Sequence, residues 1–491
     1  MRSWLISLVL GCASATGFAP LGWWPVMILC FAGLVALIER APTLRTALSN
    51  GWWFGLGHFT IGLNWIATAF YFQDAMPHWL GWFAVVLVSL YLAIFPAAAA
   101  GLAWRWGRPK LIPLTLVFAA AWIITEWLRA TLFTGFAWNP LGVALVEIAT
   151  ISRWIGTYGV SAIVICTAGA VAGLGVRKWR EASPLLIPLV MAIMIRALAP
   201  APPPDKPVQL QVVQPNINQN EKYSEELFVS NIRRLVRLSG TPTDQPRLLL
   251  WPEAAIPYAL EDDAEARIAF SGLLGPRDIL LTGGDALVRD DSGSLIAARN
   301  SLFALDAQGR ILARYDKAHL VPYGEYLPMR PILSVIGLSR LVPGDIDFLP
   351  GPGPQSFSLP GAVKVGVQIC YEIIFSGQVV DRRNRPDFLF NPSNDAWFGA
   401  WGPPQHLAQA RMRAIEEGIP IIRSTPTGIS AVVDANGVLR EQLPWQTAGA
   451  ISTALPAPIA PTLFAKFGNL LPFLFALALT AISIAVRARP R

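Results

Sequence analysis

Charge is what this 491-residue sequence has least of. Only 14% of its residues are Asp, Glu, Lys or Arg, against about a quarter in soluble domains, whereas 53% are hydrophobic and mean hydropathy is +0.45. That balance excludes a disordered chain, which needs little apolar surface and much charge. Cysteine is scarce as well: Cys12, Cys30, Cys166 and Cys370 are the four, too few for a disulfide-stapled scaffold at this length. There is no CxxC and no HExxH, and the four His (58, 78, 319 and 406) form no metal-ligand pair, so neither a metal nor a cofactor is expected. P-loop, GxGxxG and GxSxG motifs are missing too. The net charge of +7 is scattered in short clusters rather than gathered into a patch. Membrane topology accounts for such clusters better than a polyanion does, and no nucleic-acid partner is expected.

Long apolar stretches are what the sequence does have. A spanning helix needs roughly 20 apolar residues, with about 17 to 25 tolerated. Eight stretches are candidates, at residues 4–20, 23–39, 52–72, 79–104, 112–133, 154–176, 184–199 and 467–486, the seventh of them short and Pro-containing. The Leu10-Gly11-Cys12 run after Arg2 resembles a lipoprotein-type signal. It leads straight into a multispanning pattern, so Cys12 is expected inside the first span. Basic residues follow alternate spans: Arg40 and Arg45, then Arg105, Arg108 and Lys110, then Arg177, Lys178 and Arg180, and finally Arg487, Arg489 and Arg491. The alternate loops, 134–153 among them, are poor in basic residues, and positive loops stay in the cytoplasm. Seven spans before residue 200 then put the large polar segment on the far side, the periplasm of a bacterial inner membrane.

Composition divides the chain into residues 1–200 (spans one to seven), a stiff Pro-rich linker at 201–207, a globular segment at 208–455, and a last span with a basic tail at 456–491. Within 208–455, alternating runs at 208–214 and 363–369 read as strands, and short apolar runs at 247–251 and 279–282 as buried strands. Hairpins are expected around Asp306-Ala307-Gln308-Gly309 and Asp434-Ala435-Asn436-Gly437. Residues 222–238 and 405–417 have helical spacing, the second stopped by Gly418. An α/β layered domain with a mixed sheet follows.

Three predicted strand ends deliver residues that packing does not require. Leu249-Leu250-Trp251-Pro252-Glu253 ends in a carboxylate, Tyr315-Asp316-Lys317-Ala318-His319 carries an ammonium, and Val367-Gln368-Ile369-Cys370-Tyr371-Glu372 carries a thiol. Ligand crevices form at strand ends of open α/β sheets. A carboxylate takes a thiol proton, an ammonium stabilises both thiolate and oxyanion, and a thiolate forms a thioester. Each residue also has a plainer role: Cys370 as a small buried hydrophobe, Glu253 as a cap, Lys317 as a solvated charge. Against the last, the chain holds only seven Lys among 39 basic residues, so a lysine at this position suggests a need for a compact point charge.

Taken with Trp251-Pro252-Glu253-Ala254-Ala255-Ile256-Pro257, the run from Tyr315 to Pro328, Ile369-Cys370-Tyr371-Glu372 and Asn394-Asp395-Ala396-Trp397-Phe398-Gly399, the sequence resembles the nitrilase (carbon–nitrogen hydrolase) superfamily. The likeness is to its membrane-embedded branch, the apolipoprotein N-acyltransferases. It implies a polytopic α-helical membrane domain of about eight spans joined to a nitrilase-like α-β-β-α sandwich. Glu253 is then the general base, Lys317 the electrostatic stabiliser and Cys370 the nucleophile. The resemblance makes Glu325 the supporting second glutamate, and Tyr371 and Glu372 pocket residues. Tyr223 stands where the family commonly has a gating tryptophan. The implied reaction passes an acyl chain from a membrane phospholipid, through a cysteine thioester, to the N-terminal diacylglyceryl-cysteine of an apolipoprotein, by a monomer at the bilayer. The apolar loops 326–350 and 396–404, with Trp397 and Phe398, are expected to act as lids that keep water from the thioester. Two other readings stay open from residues alone: a membrane-tethered amidase or nitrilase acting on a small amide, and a non-enzymatic polytopic protein such as a transporter. For the latter, the main intramembrane polar pair is Glu126 with Arg129, spaced as an ion pair.

Overall fold

The computed structural model describes residues 2–72, 76–222, 224–242, 245–336, 341, 348–361 and 363–488. The chain forms two units, one from residues 1–67, 79–200 and 461–491, the other from 68–78 and 201–460.

The first unit is helical. Among the described residues, four helical segments are long and apolar enough to cross a membrane: Leu80–Gly107, Leu111–Thr131, Leu141–Gly175 and Leu470–Ala488. Ser3–Ser14, which holds Cys12, and Trp24–Arg40 are shorter apolar helices. Two details differ from expectation. The stretch at 52–72 is not one span. Its helix starts at Leu44, where the Thr43 hydroxyl accepts the Thr46 N–H at 3.2 Å, and stops at Gly62. Nor is 134–153 a plain loop, since Leu141–Ile151 is a 3₁₀ helix. Glu126 accounts for it. Its buried carboxylate accepts the Leu141 N–H at 2.7 Å and the Ser161 hydroxyl at 2.6 Å, closing off donors that the helix start leaves open. Arg129 is only 3.9 Å from Glu126 and donates instead to the carbonyls of Phe136 and Trp138. The pair thus fastens a helix end.

The second unit is built from strands β1 (Lys206–Gln214), β2 (Arg247–Leu250), β3 (Ile279–Arg289), β4 (Leu295–Asp306), β5 (Ile311–Asp316), β6 (Ser356–Leu359), β7 (Val363–Val367), β8 (Phe388–Pro392), β9 (Ile421–Ser424), β10 (Ala431–Val433), β11 (Leu439–Gln442) and β12 (Gly449–Leu455). They make two six-stranded sheets, ordered β12-β1-β2-β3-β4-β5 and β11-β10-β9-β8-β7-β6. Parallel pairing is confined to β1-β2-β3 and β7-β8-β9. Every residue of β2, β8, β9 and β10 is buried, so those strands are covered on both faces. Helices Glu225–Leu238 and Ala264–Ser271 cover one sheet, where Leu235 and Phe270 join Leu249, Trp251, Leu280 and Phe303 in one core. The sheets meet through buried polar links: the Ser424 hydroxyl donates to the Val213 carbonyl at 2.8 Å and Tyr315 to Glu372 at 2.8 Å. The result is a layered α/β domain with two mixed sheets.

Candidate active site

The carboxylate comes from β2. Beyond Leu250 the chain keeps pairing with β3, since the Trp251 N–H donates to the Leu281 carbonyl at 2.9 Å and the Ala255 N–H to the Gly283 carbonyl at 3.0 Å. The turn between them, with Ala254 at φ 45°, holds Glu253. This approach needs a glycine on β3. A Cβ on Gly283 would lie 2.4 Å from the Ala254 nitrogen and 2.8 Å from the Glu253 Cα.

The ammonium comes from β5. Lys317 follows the strand, and its N–H still donates to the Asn300 carbonyl of β4 at 2.9 Å. The residue is 1% exposed. Nζ donates to Glu325 Oε1 at 2.9 Å and to Glu253 Oε1 at 3.3 Å. Asn300 Nδ2 donates to the same two oxygens, at 2.9 and 2.8 Å. Glu325 Oε2 is taken up by the Val321 N–H at 2.7 Å. Glu253 Oε2 has no hydrogen-bond partner among the described residues. Burial works against the charge on Lys317, but Glu325 and Glu253 outweigh it and raise its pKa above the ordinary lysine value. Burial likewise opposes ionisation of Glu253. Lys317, the Asn300 amide and Lys222 overcome it and hold the carboxyl below its usual range.

The thiol comes from the other sheet. Cys370 follows β7 at the head of the short helix Cys370–Ile374, and its backbone is left-handed, at φ 49°. Such a conformation in a non-glycine residue costs of order 1–3 kcal/mol and persists only where surroundings enforce it. Here they do. The Glu372 carboxylate accepts the N–H groups of Ile369 at 2.7 Å, Ala318 at 2.8 Å and His319 at 3.1 Å, besides the Tyr315 hydroxyl. One buried carboxylate therefore ties the thiol's turn to the lysine's strand end. Burial pushes the Cys370 thiol well up and the Glu253 charge adds to this, while Lys317 and the Asn394 N–H pull it down. Thiol, ammonium and carboxylate thus converge within electrostatic reach.

Of the other residues named from sequence, Tyr371 is buried with its ring 5.2 Å from Phe375. Phe398 is buried 5.9 Å from the His406 ring, and Trp397 is 5.6 Å from Phe72. Tyr223 lies outside the described residues.

Sequence reasoning missed Asn300 and the group beneath the thiol. Asp395 and His406 lie with the Cys370 sulfur inside one cluster, their ligand atoms within 4.8 Å of one another. A guanidinium already serves that cluster: Arg423 donates to Asp395 at 2.5 Å and sits 2.9 Å from His406 Nδ1. His406 Nε2 donates to the Cys370 carbonyl at 3.1 Å. Burial first, then Arg423, lowers the His406 pKa, so the ring is neutral. Asp395 was in view only within the Asn394–Gly399 run, without its partners, and Asn300 only as a polar residue in the middle of β4.

A family model described as apolipoprotein N-acyltransferase N-terminal domain matches residues 10–170, and one described as carbon-nitrogen hydrolase matches residues 209–461. A protein of Rhodopseudomonas palustris named apolipoprotein N-acyltransferase is 36% identical, over 99% of this chain and 95% of its own. Those of Bradyrhizobium diazoefficiens and Caulobacter vibrioides, with the same name, are 35% and 36% identical over 99% of this chain and 95% and 94% of theirs. The solved structure of an amidase from Nesterenkonia sp. covers 52% of this chain and 94% of its own at 18% identity, with a TM-score of 0.34, a likeness too loose to argue from.

Gly283→Ala is expected to shift the Glu253 turn and slow alkylation of Cys370 by iodoacetamide about tenfold, as displacement of a positioned group by a fraction of an ångström does. Mass spectrometry of the Cys370 peptide reads the rate. An unchanged rate would mean that Glu253 does not assist the thiol.

Proposed function

Because the chain belongs to the apolipoprotein N-acyltransferase family, we infer that Glu253, Lys317 and Cys370 carry its reaction. The protein is an acyltransferase of the nitrilase superfamily. It passes an acyl chain from a membrane phospholipid, through a cysteine thioester, to the amino group of a lipoprotein's N-terminal diacylglyceryl-cysteine. A small-amide hydrolase or a transporter fits less well, because relatives over 30% identical along nearly the whole chain carry the acyltransferase name.

One observation supports the residue assignment: a buried thiol lies within electrostatic reach of a carboxylate whose second oxygen has no hydrogen-bond partner among the described residues, and of the buried ammonium paired with that carboxylate. In the first half-reaction the Cys370 proton passes to Glu253 as sulfur attacks the ester carbonyl. Lys317 stabilises the oxyanion that forms. Collapse breaks the C–O bond, and the lysophospholipid alkoxide leaves with the proton held by Glu253. Glu325 and Asn300 support this by fixing Lys317 and Glu253 against each other, and Tyr371 and Glu372 by shaping and bracing the thiol's turn.

The same reading puts eight spans in residues 1–200 and 456–491, a linker at 201–207 and the catalytic domain at 208–455. It sets the N-terminus in the cytoplasm, the domain in the periplasm of a bacterial inner membrane, and the protein as a monomer. Alternating basic loops support the orientation. Met329, Ile332 and Val335 are 63%, 65% and 82% exposed on a loop of the second unit, and such a patch supports a lipid-facing lid.

Three outcomes are expected. Incubation with phospholipid carrying a radiolabelled acyl chain labels Cys370, and neither Cys370→Ser nor Lys317→Arg retains more than about 1% of that labelling, since a hydroxyl is a weak nucleophile and a guanidinium is not a point charge. Full labelling in either variant would remove that residue from its role. Because Glu253 is held below its ordinary range, the active carboxylate form persists as pH falls and is lost only beneath about pH 4.5. Single-turnover acylation measured from pH 8 down to 4 should show its acid limb there, and a limb centred near 6.5 would point to another base. Trp397→Ala or Phe398→Ala should raise free fatty acid relative to acylated peptide severalfold; an unchanged ratio would end the water-excluding role of that loop.

A further inference from the structure

Three residues of the first sheet stand in one row across neighbouring strands. Asp285 on β3 pairs with Asn300 on β4, and the Asn300 carbonyl in turn accepts the Lys317 N–H. Directly opposed residues of an antiparallel pair point to the same face, their Cβ atoms about 5 Å apart. Asn300 and Lys317 both turn their side chains to Glu253 and Glu325. Asp285 therefore faces the same recess. It is exposed, whereas Asn300 and Lys317 are 7% and 1% exposed. Along this row Lys317 is the floor and Asp285 the rim.

The hydrogen-bond accounting of the recess is lopsided. Asn300 must present its NH₂ to two carboxylates, which fixes the amide orientation, and its Oδ1 then has no donor among the described residues. Glu253 Oε2 has none either. Both residues are more than nine-tenths buried. Asp285 takes no hydrogen bond from any described residue. Although the residue's surface reaches solvent, the protein packed around its carboxyl raises the pKa first, and the charges of Glu325 and Glu253 add to this against the pull of Lys222. A buried acceptor without a donor is costly to leave unsatisfied. Two buried acceptors and one carboxylate at the rim suit a group that brings several N–H donors and a positive charge.

We propose that Asp285, with Asn300 Oδ1 and Glu253 Oε2, receives the α-ammonium of the acceptor's N-terminal cysteine and delivers it to the thioester. This rests on the acyl-transfer reading above and adds the acceptor subsite to it. An ammonium has three donors for the three acceptors. It must lose one proton before it can attack, and Glu253, with its lone pair free once lysophospholipid has left, takes that proton. The nitrogen lone pair then forms the C–N bond, the C–S bond breaks, and the thiolate leaves with its electron pair. The second proton shed by nitrogen ends on the Cys370 sulfur, which restores the thiol. A phospholipid ester has no such cation at its reacting atom, so Asp285 serves the second half-reaction and has no corresponding partner in the first. It is a specificity residue set at the rim, where the acceptor enters.

The test separates the two half-reactions in the full-length protein reconstituted in phosphatidylethanolamine vesicles. Acyl-enzyme formation is followed with a radiolabelled donor, and transfer by chase with a synthetic diacylglyceryl-cysteine peptide. In Asp285→Asn, the rate of transfer relative to that of acyl-enzyme formation is expected to fall about tenfold, and Asp285→Glu should recover part of the loss. A second readout is competition. The unaltered protein should bind the free-amine peptide at least fivefold more tightly than its N-acetylated counterpart, and Asp285→Asn should lose that preference. A rate ratio within twofold of the unaltered protein, or an undiminished preference, would overturn the assignment. Absence of any acyl-enzyme in the unaltered protein would instead overturn the acyl-transfer reading on which it rests.

Discussion

A lysine ammonium buried between two carboxylates is the constraint around which the catalytic unit is arranged. An isolated charge at that depth is untenable, and removing one partner of such a pair costs about 3–5 kcal/mol because the remaining charge stays buried. Lys317, Glu253, Glu325 and the Asn300 amide satisfy one another within 2.8 to 3.3 Å. The arrangement fixes protonation states as well as positions. It keeps Glu253 ionised and therefore basic in form, and it leaves one of its oxygens open toward chemistry rather than toward structure.

The second sheet contributes the thiol under separate control. The thiol's turn rests above and below on buried polar anchors. Glu372 gathers donors from both sides of the sandwich, and the Asp395–Arg423–His406 group holds the Cys370 carbonyl from beneath. Neutral histidine suits that task, since it holds the carbonyl as a donor without adding a charge that would compete with Lys317 for the sulfur. Most of the polar atoms around Cys370 therefore position it, and few are left to react.

Much of this was legible in the sequence. Strand alternation, the two Asp-x-x-Gly hairpins and the stop at Gly418 are local signals, and the corresponding elements formed where expected. Glu253, Lys317 and Cys370 stood out because each follows directly on a strand signal and packing does not require it. The pairing of β4 with both neighbours, by contrast, is a long-range fact. Nothing near Asn300 or Asp285 in sequence announces that they share a row with Lys317. Arg423 and His406 were hidden for the same reason, one in a short buried strand and one on a helix whose partner lies across the layer. In the helical unit, apolar run length blurred the ends: Thr43 starts a helix earlier than hydropathy alone implies, and the Glu126 carboxylate allows a helix start at Leu141 where composition suggested a loop.

The Glu372 brace has a consequence for how the molecule comes into being. Its carboxylate needs donors from residues 315–319 and from residue 369 at once, and these belong to strands in different sheets that are made at different times. Until the two layers dock, the cysteine's unfavourable backbone turn has nothing to hold it, and no lysine lies at hand to favour a thiolate. A nascent chain still being inserted thus carries an ordinary, sluggish sulfhydryl. The geometry that brings the sulfur under the influence of the ammonium arrives only with completed assembly.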